Sequence, residues 1–353
     1  MLHEVPNSRL RRRLLRVVVM QHRLLEALCA LPAGSVVTEA WLQAVWPRVP
    51  GAWIGRFWVN DKGNRAGWIG TIAGASVDEK NAIRDMMSEQ LRFLELYDAP
   101  PTVRLTMHDW GQPTFDAVNK LLKSFYAPLF YADEGFPDAG GTLFHKDHLI
   151  AGFSPRVKIC PYTDNVIQDT KLDHFLPKDK FPMLSCHPDN LIPCSTDSNS
   201  GSHKGTEVPL DANAIDQAGA WFHPRRRPAI KKYRLSFTSG PTPQPRVNFV
   251  AHNAEDQPRL DNMARMFGLY EFWGGILDDE VQSVASDVWG LLQADGKPAT
   301  EANVKDFVLR RARQEQGRIG RDGLAIAKSF FYEHIAQTPN LLAQVIRTCT
   351  RGA

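Results

Sequence analysis

The sequence has little cysteine and no cysteine framework. Five thiols are scattered at Cys29, Cys160, Cys186, Cys194 and Cys349. An odd number at irregular spacing excludes a disulfide-stapled scaffold and fits a reducing cytoplasm. No apolar run approaches the ~20 residues that a membrane helix needs, so no membrane association is expected. Arg11, Arg12 and Arg13 precede the apolar Leu14, Leu15 and Val17 to Met20, but Arg16, His22, Arg23 and Glu26 interrupt the run, and no secretory signal is expected. A Walker-type phosphate loop is also missing: GRIGRDG at 317–323 has glycines but no following Lys-Ser/Thr, so any energy coupling would come from a partner. There is no internal repeat and no long low-complexity linker. The net charge of +3 is too small to argue for a polyanionic partner by itself.

What is present is charge in clusters. Residues 9–23 hold six Lys/Arg and no acid, and residues 223–234 (HPRRRPAIKKYR) hold another six and no acid. Residues 305–321 hold six against Asp306 and Glu315. Such clusters suit phosphate contact. Each alone equally suits a solvated basic face. The run at 223–234, with Arg225, Arg226, Arg227, Lys231 and Lys232, is the candidate nucleic-acid surface.

At 353 residues, 43% hydrophobic and 23% charged, the chain has the size of two or three soluble domains. Helical spacing predicts helices over 9–30, 77–97 (capped by Ser76 or Asp78) and 114–130, and from Pro258 to the end. Trp, Gly and Val enrichment predicts short strands in GAWIGRFWVND and RAGWIGTIAG about a turn at Asp61–Asn64. The tryptophans there, interleaved with Arg48, Arg56 and Arg65, read as core before they read as base-stacking platforms. His145 and His148 read as structural. Residues 234–251 suggest a two-stranded appendage.

The stretch with chemistry is Lys171–Lys204. It holds Asp173-His174, then Asn190-Leu191-Ile192, then Asn199. Phosphodiester hydrolysis needs a water deprotonated near neutral pH, which suits histidine. It also needs charge neutralised at the phosphate, which suits a hard cation on one or two oxygen ligands. On a strand, Asp173 and His174 would point to opposite faces. Asn199 would offer an amide oxygen to the ion, and Asn190 would hold backbone beside the His174 strand.

Read in order, LDHFLPK, DNLIP and STDSN resemble the HNH (His-Me finger, ββα-metal) endonuclease family, with Asn199 nine residues after Asn190 as is usual there. The resemblance covers about residues 158–206. The fuller phrase also resembles stand-alone bacterial phage-defence HNH proteins of the Septu and Zorya type. The resemblance implies His174 as general base, Asp173 and Asn199 as ligands of Mg²⁺ or Mn²⁺, and Asn190 as the orienting residue. It implies DNA as substrate, antiviral defence as setting, and an ATPase or sensor as partner.

The sequence departs from the family where two Cys-x-x-Cys pairs would hold a structural zinc. Cys160-Pro-Tyr-Thr163 and Ser195-Thr-Asp-Ser198 stand there, with Cys194 one residue out of register. A closed zinc site needs four N or S ligands, so zinc is expected to be lost. Cys160, Cys186, His187, Cys194 and His203 are the residues that would rebuild one. His203 also competes with Asn199 as the last ligand. The expected fold is α+β: a ββα-metal finger (136–210) between a mixed α/β N-terminal region (1–135) and, after a basic β appendage (211–257), a mostly helical C-terminal region (258–353). The competing functions are a nucleic-acid-binding protein with a dead finger, and an adaptor active only in complex.

Overall fold

The sequence between Arg11 and Ala30 places Leu14, Val17, Val18, Gln21, Leu24, Leu25 and Leu28 on one face, and in the computed structural model these are the buried residues of helix α1 (Arg11–Ala30). The structure describes residues 2–59, 64–108, 111–131, 135–137, 143–153, 156–199, 204–239, 245–277 and 280–351. After α1 come α2 (Glu39–Val45), α3 (Gly51–Val59), α4 (Asn64–Ala73), α5 (Val77–Leu91) and α6 (Pro113–Tyr131). A short ladder, β1 (Phe136–Pro137) with β2 (Leu143–Phe144), leads to α7 (Lys146–Phe153). Strands β3 (Lys171–His174) and β4 (Leu191–Cys194) pair next, then β5 (Tyr233–Ser239) and β6 (Pro245–Ala251). The chain ends in α8 (Gln257–Met266), α9 (Leu269–Leu277), α10 (Glu280–Ala294), α11 (Glu301–Arg318), α12 (Ala325–Gln337) and α13 (Pro339–Arg351). The molecule is thus mixed α/β, helix-rich, with small antiparallel sheets. Among the described residues no helix is long and apolar enough to cross a membrane.

The strands expected in GAWIGRFWVND and RAGWIGTIAG are instead the helices α3 and α4. Composition misleads here and spacing decides. Trp53, Ile54 and Phe57, then Arg65, Ile69, Ile72 and Ala73, are buried at steps of one, three and four. The tryptophans do serve the core: Phe57 meets Trp46 and Trp53 at 5.3 Å between ring centroids, and Phe125 at the same distance. Buried Arg65 stacks its guanidinium 4.8 Å from the Phe57 ring and donates to Ser124 Oγ and Phe57 O, both at 3.2 Å. The turn expected at 61–64 falls largely on residues outside those described.

Two cores result. One joins α1 to α7 with β1 and β2. The other joins residues 93–105, the hairpin β5–β6 and the C-terminal helices. The β3–β4 hairpin belongs to both, Leu172 and Leu191 facing the first, Ile192 and Cys194 the second. Buried Asp164 ties the ends together. It accepts from His3 Nε2 at 2.6 Å and from Ile326 N at 2.8 Å, while its carbonyl accepts from Leu324 N at 2.6 Å. Asp164 (φ 61°) and Leu324 (φ 62°) are both left-handed non-glycines, a strain of about 1–3 kcal/mol each that this junction holds in place.

Helix ends are satisfied individually. Ser76 and Glu79 form the expected capping box on α5. Lys80 buries its ammonium where α1 and α4 end, donating to Leu31 O at 2.8 Å and Ala73 O at 2.7 Å. Lys80→Met should therefore lower stability by about 2–4 kcal/mol, because two carbonyls lose a charged donor. Arg84→Ala, which removes an exposed pair with Glu26 and an exposed hydrogen bond to Asn81, should cost less than about 1 kcal/mol. Urea midpoints of the two variants check this, and equal midpoints would mean that water caps both helices as well as Lys80 does.

Candidate active site

The β3–β4 ladder sets Asp173 opposite Ile192 and His174 opposite Leu191. Pro193, which lacks an N–H, is tolerated because the sheet has only two strands. The chain between the strands is long, and Asn190 disciplines its return. Fully buried, Asn190 accepts from Leu176 N at 2.7 Å through Oδ1 and donates through Nδ2 to Leu176 O at 2.9 Å and Leu184 O at 3.2 Å. Its backbone carbonyl accepts from Phe175 N at 2.9 Å. The amide thus continues the ladder past the end of β3 and fixes the direction in which the chain leaves His174.

His174 is buried, with the Tyr126 ring edge-on at 4.4 Å. Its Nε2 lies 2.9 Å from Ser185 O. A carbonyl can only accept, so Nε2 carries the proton and Nδ1 the lone pair. Burial lowers the imidazole pKa to about 4, so the ring is neutral at pH 7. Nδ1 makes no hydrogen bond among the described residues.

Asp173 leaves the opposite face of the strand. Its Oδ2 accepts from Tyr162 OH at 2.7 Å and its Oδ1 from Lys204 Nζ at 3.0 Å. Burial, helped by the carboxylate, pushes the Tyr162 phenol well above its ordinary pKa, so it remains a donor. Lys204 also donates to His174 O at 2.7 Å. The ammonium therefore touches both residues of the Asp-His pair.

Asn199 closes a short 3-10 turn, Asp197–Asn199, where the finger's helix would begin. Its side chain, and His203 entirely, lie outside the described residues. The structure therefore joins Asp173, His174 and Asn190 in one hairpin, and leaves the other two expected ligands undescribed.

The positions that would hold zinc do meet, as hydroxyls and a thiol. Ser198 Oγ donates to Ser195 O at 3.0 Å and accepts from Ser195 Oγ at 3.0 Å and Cys160 Sγ at 3.2 Å. Thr163 Oγ1 is buried and unpartnered among the described residues. Cys186 and His187 belong elsewhere: Cys186 packs in the α1–α7 core, and His187 stands edge-on to Phe93 at 5.2 Å. Among the described residues no three His, Cys, Asp or Glu side chains converge as a metal-binding group.

The basic run needs correction. Arg225 turns inward. It donates to Val5 O at 3.0 Å, Pro6 O at 2.5 Å and Leu191 O at 3.3 Å, and burial lowers its pKa to about 10. Arg227 donates to Ala218 O at 2.9 Å and Tyr97 O at 2.8 Å. In both, the terminal guanidinium nitrogens are committed to carbonyls, which turns them away from the expected phosphate contact. Arg226 is exposed but paired with Asp98 at 2.5 Å. Lys232 lies over the Phe222 ring at 5.3 Å, and Lys231 is exposed. Arg225 acts on the hairpin through Leu191. His148 is exposed, its Nδ1 accepting from His145 N at 3.2 Å.

Tyr162, Ser185 and Lys204 complete the site, and sequence reasoning did not assign them roles. The only local signals were a Tyr inside the Cys160–Thr163 run and a Lys after His203. Compared with family models, curated proteins and solved structures, the chain matches none.

The buried histidines dictate a pH response. His174 and His187 are both held near pKa 4 by burial, against about 6.5 when unfolded. The unfolded chain then takes protons that the folded chain refuses. Their contribution is present above pH 6.5 and lost as pH falls towards 4, by roughly 3 kcal/mol each. Denaturation midpoints from pH 7.5 to 4.5 should fall accordingly, and His174→Asn should flatten the slope. An unchanged slope in that variant would place the titration elsewhere.

Proposed function

We propose that this protein is a metal-dependent endonuclease that hydrolyses or nicks DNA, with the β3–β4 hairpin as an HNH-type ββα-metal finger. The observation that carries the reading is His174: a neutral imidazole with Nε2–H committed to the Ser185 carbonyl and Nδ1 left as base, on the strand face opposite the Asp173 carboxylate. A base needs a free lone pair at working pH and a fixed direction, and this arrangement supplies both. Asn190 fixes the loop after His174, Arg225 holds Leu191 opposite it, and Tyr162 orients Asp173.

In this reading Asp173 and Asn199 hold Mg²⁺ or Mn²⁺, with His203 as alternative to Asn199. A carboxylate and an amide oxygen suit a hard cation. When bound, the ion supplies charge neutralisation at the phosphate and leaving oxygen. His174 Nδ1 takes the proton of the attacking water. The setting in antiviral defence, and an ATPase or sensor as partner, rest on the resemblance of the LDHFLPK and DNLIP segments alone.

One observation favours a second reading, a nucleic-acid-binding adaptor whose finger does not cut. The Lys204 ammonium already lies on Asp173, and a dication would have to compete with it. Nicking of supercoiled plasmid separates the readings. The wild type should nick with Mg²⁺ or Mn²⁺ and stop with chelator, and His174→Ala should be slower by roughly 10²–10⁴-fold. His174→Ala nicking as fast as wild type would remove His174 from the mechanism. The adaptor reading instead predicts no metal-dependent nicking, with Mn²⁺ binding, read by electron paramagnetic resonance, gained in Lys204→Met and absent from Asp173→Asn.

A further inference from the structure

Helix α1 has two differently occupied faces. The inner face is committed to the fold: Gln21 Nε2 donates to Leu122 O and Ser185 Oγ, both at 3.1 Å, and Ser185 is the residue whose carbonyl holds His174. The outer face carries Arg12, Arg16 and Arg23. At about 100° per residue these lie within about 40° of one another, along about 16 Å of helix. Gln21 lies about 180° from Arg12 on the same reckoning. Facing the three, the corner after α2 adds Arg48.

These four arginines border an open groove of about 790 Å³, with Val19 and Met20 in its wall and no acidic residue lining it among the described residues. Val19 is 47% exposed. Arg12, Arg23 and Arg48 form no ion pair among the described residues. The nearest acid on α1, Glu26, faces Arg84 at 3.6 Å and His22 at 4.0 Å.

The guanidinium groups of Arg12, Arg23 and Arg48, without an ion pair among the described residues, suit phosphate, which a planar fork binds in pairs of hydrogen bonds. The apolar wall suits flat bases that are free of a partner strand. A duplex would offer the groove phosphates alone. An acidic peptide would need apolar side chains set among its carboxylates to meet Val19 and Met20. We infer that this groove holds a single-stranded stretch of nucleic acid, with its phosphates on the arginines and its bases against Val19 and Met20. It lies on the far side of α1 from the hairpin, about one helix diameter (roughly 10 Å) away. It is therefore an anchoring surface and not the seat of a scissile phosphate. The inference goes beyond the nuclease reading and holds whether or not the hairpin cuts.

The test is binding of a fluorescein-labelled single-stranded thymidine oligonucleotide to the full chain, by anisotropy, in chelator, across a salt series. Relative to wild type, R12A/R23A/R48A should bind about tenfold more weakly at low salt. Its log–log salt slope should be shallower by about 2, at about 0.7 per lost phosphate contact on a single strand. These side chains are exposed, so melting temperature should not change; Arg48→Glu alone serves if it does, and should also weaken binding. Unchanged affinity and slope in both variants would overturn the inference. So would more effective displacement of the labelled strand by duplex, or by polyglutamate of equal charge. Because chelator stops any metal-dependent cutting, a failure of the nuclease reading in the nicking assay leaves this result untouched.

Discussion

A buried carboxylate, Asp164, is the constraint on which the arrangement of the chain depends. It binds His3 from the first residues, caps the start of α12 through Ile326 N, and uses its own carbonyl on Leu324 N. Both partners of the last bond sit in the left-handed region without being glycine. Gly323 beside them leaves no room for a side chain, since a Cβ there would stand 2.8 Å from Val166 Cγ2. Burial raises the Asp164 pKa and the His3 N–H opposes that rise. Removing one partner of such a buried pair typically costs 3–5 kcal/mol, because the other is left uncompensated. The same short loop, Cys160–Asn165, supplies Tyr162 to Asp173 and Thr163 O to Trp273 Nε1 at 3.1 Å. The candidate site therefore inherits its rigidity from the junction of the N-terminal segment with the C-terminal helices.

The hairpin is correspondingly dry. Every residue of β4 is buried, and β3 exposes only part of Lys171. Low local dielectric strengthens the Tyr162–Asp173–Lys204 chain of hydrogen bonds, and it keeps His174 uncharged. The two effects pull chemistry in opposite directions. A neutral imidazole is ready to accept a proton, while an ammonium on Asp173 opposes a second cation. Which prevails is a matter of the balance at Lys204, a single residue.

Much of this was legible in the sequence, for identifiable reasons. Helices α1, α5 and α6 announce themselves by apolar spacing and, for α5, by the Ser76–Glu79 box. Asn190 is legible as a backbone-holding residue because an amide between two strands has few other uses. Helices α3 and α4 were not legible, because Trp, Gly and Val composition outweighed the one-three-four spacing of Trp53, Ile54 and Phe57. Nor were Arg225 and Arg227: a charge count cannot distinguish a solvated guanidinium from one that satisfies carbonyls of distant segments. Lys204 and Ser185 reach their partners only through tertiary contact, and Gln21 meets Ser185 from 164 positions away. No local pattern carries that information.

The Cys160–Ser195–Ser198 cluster bears on how the molecule responds to its surroundings. A loop clasped by a metal comes apart under a strong chelator or an oxidant that attacks its thiolates. Here the clasp consists of two hydroxyls and one buried thiol whose proton is already in use. Sequestering metal leaves those bonds intact, so the loop does not depend on a metal to hold its shape. The shape of this loop is thereby set by the chain itself and is indifferent to the supply of metal.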